Sequence, residues 1–211
     1  LNGLQLLLGL PAELTPAAFA YSLLYPYSDN FLDDSEISSQ AKLAFSERFR
    51  QRLEGDEISP VNTHEQAICD LVAMIEGQFG RSLYPQVFES LLAIHRAQEK
   101  SLRLARHDGA PHGVDVLGIT FEKGGASVLA DGYLAAGALT EAQAEFIFGW
   151  GVFLQLGDDL QDVQEDMRKR RLTLFSEAAR GRPLDALTNR TFQFGARALG
   201  RLDDFGAPGS E

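Results

Sequence analysis

Three observations predict an all-α fold: apolar residues recur at helical spacing along most of the chain, no segment alternates as a strand would, and N-capping patterns open several of the periodic stretches. With 211 residues, 45% of them hydrophobic, the chain can bury one sizeable core, so residues 1–211 are expected to form a single helical domain. Both ends are expected to be incomplete, because the sequence starts inside a pattern and stops in GAPGSE.

Thr15 and Pro16 read as an N-cap and a first helical position, opening a helix through AAFAYSLLY that Pro26 should bend or break just before Asp29. A second helix is expected from about Ile37 to Leu53, stopped by Gly55. Asn62 and Glu65 form a capping-box pattern for THEQAICDLVAMIEGQF. Pro85 opens QVFESLLAIHRAQEKSLRLAR, which the loop HDGAPHG closes. The next helix runs from about Val114 to Ala136 and contains Gly124 and Gly125, a costly pair in a helix interior unless something packs very close there. Thr140 and Gln143 form another capping box, and the helix they start can run to about Arg170. The last segment, PLDALTNRTFQFGARALGRL, is amphipathic.

Charge narrows the function. A net charge of −11 and a pI of about 4.8 argue against a nucleic-acid backbone or an anionic membrane surface as partner, and an anion could bind only with cations in between. The single cysteine, Cys69, excludes an internal disulfide and fits a reducing, cytoplasmic compartment. No transmembrane helix is expected, since the longest uncharged stretch, Leu14 to Ser28, is short and carries two prolines. No basic region precedes LNGLQLLLGL, so it is not read as a signal peptide.

Two acidic clusters carry the chemistry. The uncharged run FIFGWGVFLQLG leads straight into Asp158, Asp159, Asp162, Glu165 and Asp166, and the other cluster reads DNFLDD. Residues four apart share a helix face, which aligns Asp158, Asp162 and Asp166, places Gln155 beside them, and pairs Asp29 with Asp33, next to Asn30 and Asp34. Carboxylates aligned in a partly buried site repel one another unless cations neutralise them or some are protonated. Mg2+, a hard ion that takes a few carboxylate oxygens and keeps places for water and phosphate, fits better than zinc, because Cys and His are too scattered.

FLQLGDDLQD resembles the second aspartate-rich motif of trans-isoprenyl diphosphate synthases in the class I terpenoid synthase superfamily, a Gln followed by DDxxD. DNFLD is similar to the first DDxxD, with Asn30 in its second position. FEKGGASVLADGYLAAGALTEAQAEFIFGWGVFLQLGDDLQDV resembles that family's lysine-bearing helix followed by its aspartate helix. The resemblance implies a helical bundle with a central apolar cavity, Mg2+ held by two facing acidic helices, an isoprenoid diphosphate substrate, and a homodimer. It implies metal-ligand roles for Asp29, Asp33 and Asp34 and for Asp158, Asp159 and Asp162, with Lys123 and Gln155 binding the diphosphate. Lys169 and Arg170 stand where the family places a lysine that closes over substrate, and Arg96, on the helix of IHRAQEKSLR, is a further candidate for a phosphate.

The expected reaction is Mg2+-dependent prenyl transfer with loss of diphosphate from an allylic substrate. SEISSQAK stands where elongating members carry an arginine pair, Gly124 departs from the threonine that usually follows the lysine, and the spacing of Asp158, Asp162 and Asp166 matches the second metal motif of terpene cyclases. The alternatives are therefore a cyclase on the same fold or a non-catalytic partner subunit. An HD-type phosphohydrolase built on His107 and Asp108 is disfavoured, because Gly109 and Pro111 put that pair in a loop. Di-iron bundles need a Glu-x-x-His spacing that the sequence lacks.

Overall fold

The computed structural model describes residues 1–105 and 115–202, and every regular element among them is a helix. In order these are α1 (Asn2–Leu7), α2 (Pro16–Asp33), α3 (Ser39–Glu54), α4 (Thr63–Gln78), α5 (Pro85–Ala105), α6 (Val116–Ala136), α7 (Glu141–Gln161), α8 (Val163–Lys169), α9 (Leu174–Ala179) and α10 (Asp185–Gly200). Among the described residues no helix is long and apolar enough to cross a membrane. The chain forms two compact units, Leu1–Leu92 with Tyr133–Ala138, and Ala93–Gly132 with Leu139–Glu211. The His107-Asp108 pair lies outside the described residues.

In the first unit α2 and α3 both pack on α4, burying Leu24, Phe45, Phe49, Leu53, Ile68, Val72 and Ile75. Thr15 caps α2 by accepting from the Ala18 N–H at 3.2 Å. Pro26 does not break the helix, which continues to Asp33. Pro26 and Ser22 are both exposed, so the Ser22 carbonyl that loses its helical partner can turn to water. Helix α3 starts at a Ser38 cap and stops at Gly55, whose φ of 102° is left-handed and suits glycine.

The capping box expected at the start of α4 is only half formed. The Asn62 side chain accepts from the Glu65 N–H at 2.8 Å, but the Glu65 carboxylate turns to the Arg48 guanidinium (2.9 Å from Nε) and to the Val61 N–H (3.2 Å). A charge-assisted bidentate pair outcompetes a neutral amide. Burial alone would raise the Glu65 carboxyl, yet Arg48 and the Val61 N–H outweigh it and hold it below its usual range. Arg81 closes the other end of the α3–α4 pair. Its guanidinium donates to Glu76 at 2.7 Å and to the carbonyls of Leu53 and Arg52 at 2.7 and 3.0 Å, and lies 4.0 Å from the centre of the Phe88 ring.

In the second unit α7 opens on a complete capping box between Thr140 and Gln143 and packs along α10, where Gly195 leaves room for the Phe153 ring. Val152, Leu156 and Phe175 form the buried centre, surrounded by Phe121, Phe148 and Phe194. The helix expected to reach Arg170 is interrupted. Helix α7 ends at Gln161, Asp162 takes φ −90° and ψ 4°, and α8 follows to Arg170, which terminates it in the left-handed region at φ 55°. The Thr173 side chain, just ahead of α9, stabilises the Asp166 carboxylate. The short helices α1 and α9 escape a periodicity test because each has six residues.

Candidate functional site

The second acidic motif sits where α6 and α7 touch. A Cβ added at Gly124 would lie 2.7 Å from the Gly151 carbonyl and 2.4 Å from the Gln155 Cβ, and one added at Gly151 would lie 2.4 Å from the Gly124 carbonyl. Gly125 faces the Phe148 ring and Gly132 faces Ile147. Pairs that descend along α7 as they ascend α6 make the two helices antiparallel, with backbones in contact. This is the close packing that the paired glycines of α6 require.

The crossing brings the charge of Lys123 to bear on Asp159. Asp159 is buried and accepts from the Gln155 amide, Nε2 to Oδ1, at 2.9 Å. Burial pushes its pKa up to about 6, opposed by the Gln155 hydrogen bond and Lys123 and reinforced by the charges of Asp166 and Asp158. The residues that a sequence match groups as one motif thus divide by environment. Asp159 is buried, whereas Asp158 and Asp162 are exposed with accessible oxygens. An open groove of about 550 Å³ runs beside them, lined by Gly124, Ser127, Gly151, Leu154, Gln155 and Asp158.

Asp166 extends the stripe differently. The backbone bonds from Asp162 N to Asp158 O and from Asp166 N to Asp162 O, both 2.9 Å, carry the helical turn across the break, so the residues still stack. The Asp166 side chain is buried, and burial raises its pKa against the opposing Arg171 charge and Thr173 hydrogen bond. Thr173 and the glycine at 151 are the contributors that motif reading missed. Thr173 carries no signal beyond its own capping of α9, while Gly151 could be found as a second helix-interior glycine near the first pair.

The remaining candidates are spread more widely. Lys169 pairs with Glu165 on its own helix, Arg170 occupies the left-handed C-cap of α8, and Arg96 is exposed on α5. In the first unit Asp29 and Asn30 are exposed on the last turn of α2. The Asp34 carboxylate accepts from the Glu36 N–H at 2.8 Å, which locks the turn after the helix. The Asp33 side chain lies outside the described residues.

Carboxylate and amide oxygens are the donor set a hard divalent cation takes, and a buried carboxylate whose ionisation is suppressed is the group such a cation would relieve. Among the described residues, however, no three His, Cys, Asp or Glu side chains are gathered in the geometry of a metal-ion site. The chemistry of the second motif therefore fits Mg2+, while the ligands themselves are not drawn together. No protein-family model matches the chain, and no curated protein or solved structure does so either.

Proposed function

We propose that the protein is a Mg2+-dependent prenyltransferase acting on allylic isoprenoid diphosphates. The observation that carries this reading is the Gln155–Asp159–Lys123 arrangement: a buried carboxylate held by an amide and within reach of the Lys123 charge, beside exposed Asp158 and Asp162 and an open groove. These are the residues to which the resemblance gives the second motif's roles.

In this reading Asp158, Asp159 and Asp162 hold metal, and the resemblance gives the same role to Asp29, Asp33 and Asp34 of the first motif. Bound Mg2+ supplies positive charge that stabilises a departing diphosphate. Lys123 adds a fixed cation for the same oxygens, and Gln155 orients Asp159 and offers its carbonyl to water or substrate. Lys169, Arg170 and Arg96 are further cations for the phosphate end, Lys169 after release from Glu165. A homodimer in the cytoplasm completes the proposal.

The stacked Asp158, Asp162 and Asp166 also support a second reading, a terpene cyclase. The test supplies purified protein with Mg2+ and geranyl or farnesyl diphosphate, with and without isopentenyl diphosphate. Longer diphosphates formed only with isopentenyl diphosphate support transfer, and hydrocarbons or alcohols in both mixtures support the cyclase. Absence of turnover and of Mg2+-dependent diphosphate binding refutes both, whereas binding without turnover assigns a partner-subunit role.

A further inference from the structure

In the first unit His64, on the first turn of α4, is enclosed by aromatic rings from two other helices. Its imidazole stacks on Tyr27 (5.4 Å between centroids, 14° between planes) and on Phe31 (4.9 Å, 21°), both from α2, and meets Phe45 of α3 at 5.4 Å. Phe31 packs in turn on Phe45 at 4.6 Å. The His64 Nε2 is buried and has no hydrogen-bond partner. Three helices therefore converge on one titratable ring, and the segment it holds is the end of α2 that carries Asp29.

The groups around the ring decide what protonation does. The Glu65 carboxylate from α4 favours the cation, but Arg48 of α3 and the Val61 N–H already occupy it. From α2 the Tyr27 ring lies flat on the imidazole. Aromatic faces attract a cation by about 0.5–2 kcal/mol, whereas a buried N–H donor without an acceptor costs about 1–3 kcal/mol in addition to the desolvated charge. The unfavourable terms win, in keeping with burial lowering the His64 pKa against the pull of Glu65.

We propose that His64 is a pH-sensitive latch: neutral, it clamps the C-terminal end of α2 onto α3 and α4, and on protonation it releases that end. His64 is the only histidine of this unit. A folded pKa below the unfolded value of 6.5 means that the open form binds more protons, so closure weakens as pH falls below 6.5 and levels off below the folded pKa. The latch does not depend on the enzymatic reading.

Hydrogen exchange of full-length protein, corrected for intrinsic rates between pH 7.5 and 5, should show amides of the α2 end losing protection as pH falls. The loss should stay below about tenfold per pH unit, the limiting slope of one linked proton. His64→Phe keeps an aromatic ring without the charge and should flatten that dependence. An equal dependence in the variant, or none in the wild type, overturns the proposal. If the variant does not fold, the wild-type His64 imidazole is titrated by NMR, where a pKa below 6.5 sustains the latch and one at or above 6.5 overturns it.

Discussion

Gly149 and Gly151 stand two residues apart on α7, yet alanine should have opposite effects at the two positions. At Gly151 a new Cβ meets the Gly124 carbonyl at 2.4 Å and the Val128 Cβ at 2.9 Å, so backbone has to move. Overpacking of this kind costs about 1–3 kcal/mol, and the backbone partner puts it at the upper end. Alanine recovers about 1 kcal/mol of helix propensity, leaving a net loss of about 2 kcal/mol. At ~2–4 °C per kcal/mol for a chain of this size, Tm should fall by about 4–8 °C. A Cβ at Gly149 meets nothing within 4 Å, so Gly149→Ala keeps the propensity gain of about 0.5–1 kcal/mol and should raise Tm by a few degrees. Differential scanning calorimetry of the two single variants and the wild type, at one pH and protein concentration, decides the matter. If Gly151→Ala melts at or above the wild type, α6 and α7 do not touch there and the placement of Lys123 against Asp159 loses its support.

Asp159→Asn should stabilise the protein at pH 7, since the wild-type carboxyl has a folded pKa raised to about 6 from 3.8 and gives up, on the order of, 3 kcal/mol as pH rises through that window. Chemical denaturation at pH 4 and pH 7 should show this loss in the wild type and a flatter profile in the variant; equal slopes would contradict it. Glu65→Gln removes a buried acceptor of Arg48 and should cost about 1–3 kcal/mol, with the wild-type contribution present above pH 4.5 and lost as pH falls through the depressed folded pKa. Urea melts should find the variant less stable at pH 7 and the gap closing in acid. Asp158→Asn and Asp162→Asn remove exposed carboxylates, so Tm without metal should change by less than about 0.5 kcal/mol in equivalent stability while Mg2+-dependent diphosphate binding weakens, as calorimetric titration would record. A large loss of metal-free stability would mean that these carboxylates are structural.

Caps and periodicity made most of the helices legible, because Thr15, Asn62 and Thr140 act locally on N–H groups within the next turn. The break at Asp162 was not legible. No Gly or Pro stands between Asp158 and Lys169, and the helical backbone bonds continue across the break. Pro26 stands inside α2 without ending it, and both it and Ser22, whose carbonyl it deprives of a donor, are exposed. The paired glycines did announce a close approach, although not its partner. For the candidate site, spacing showed which carboxylates share a face but not which are dry, and the contrast between buried Asp159 and exposed Asp158 depends on tertiary packing. The His64 enclosure was invisible, since its rings come from α2 and α3, far from His64 in sequence.

Arg81 bears on how the chain tolerates being cut. Its guanidinium satisfies the carbonyls of Arg52 and Leu53 and a carboxylate of α4, so the end of α3 is tethered to the end of α4 without help from the peptide that links them. Residues 57–60, which precede the Val61 and Asn62 contacts that hold the start of α4, then serve mainly as a covalent connection. A single proteolytic nick or a short insertion there should leave the helices associated, which makes this loop the natural place for new termini in a circularly permuted chain or for a reporter domain.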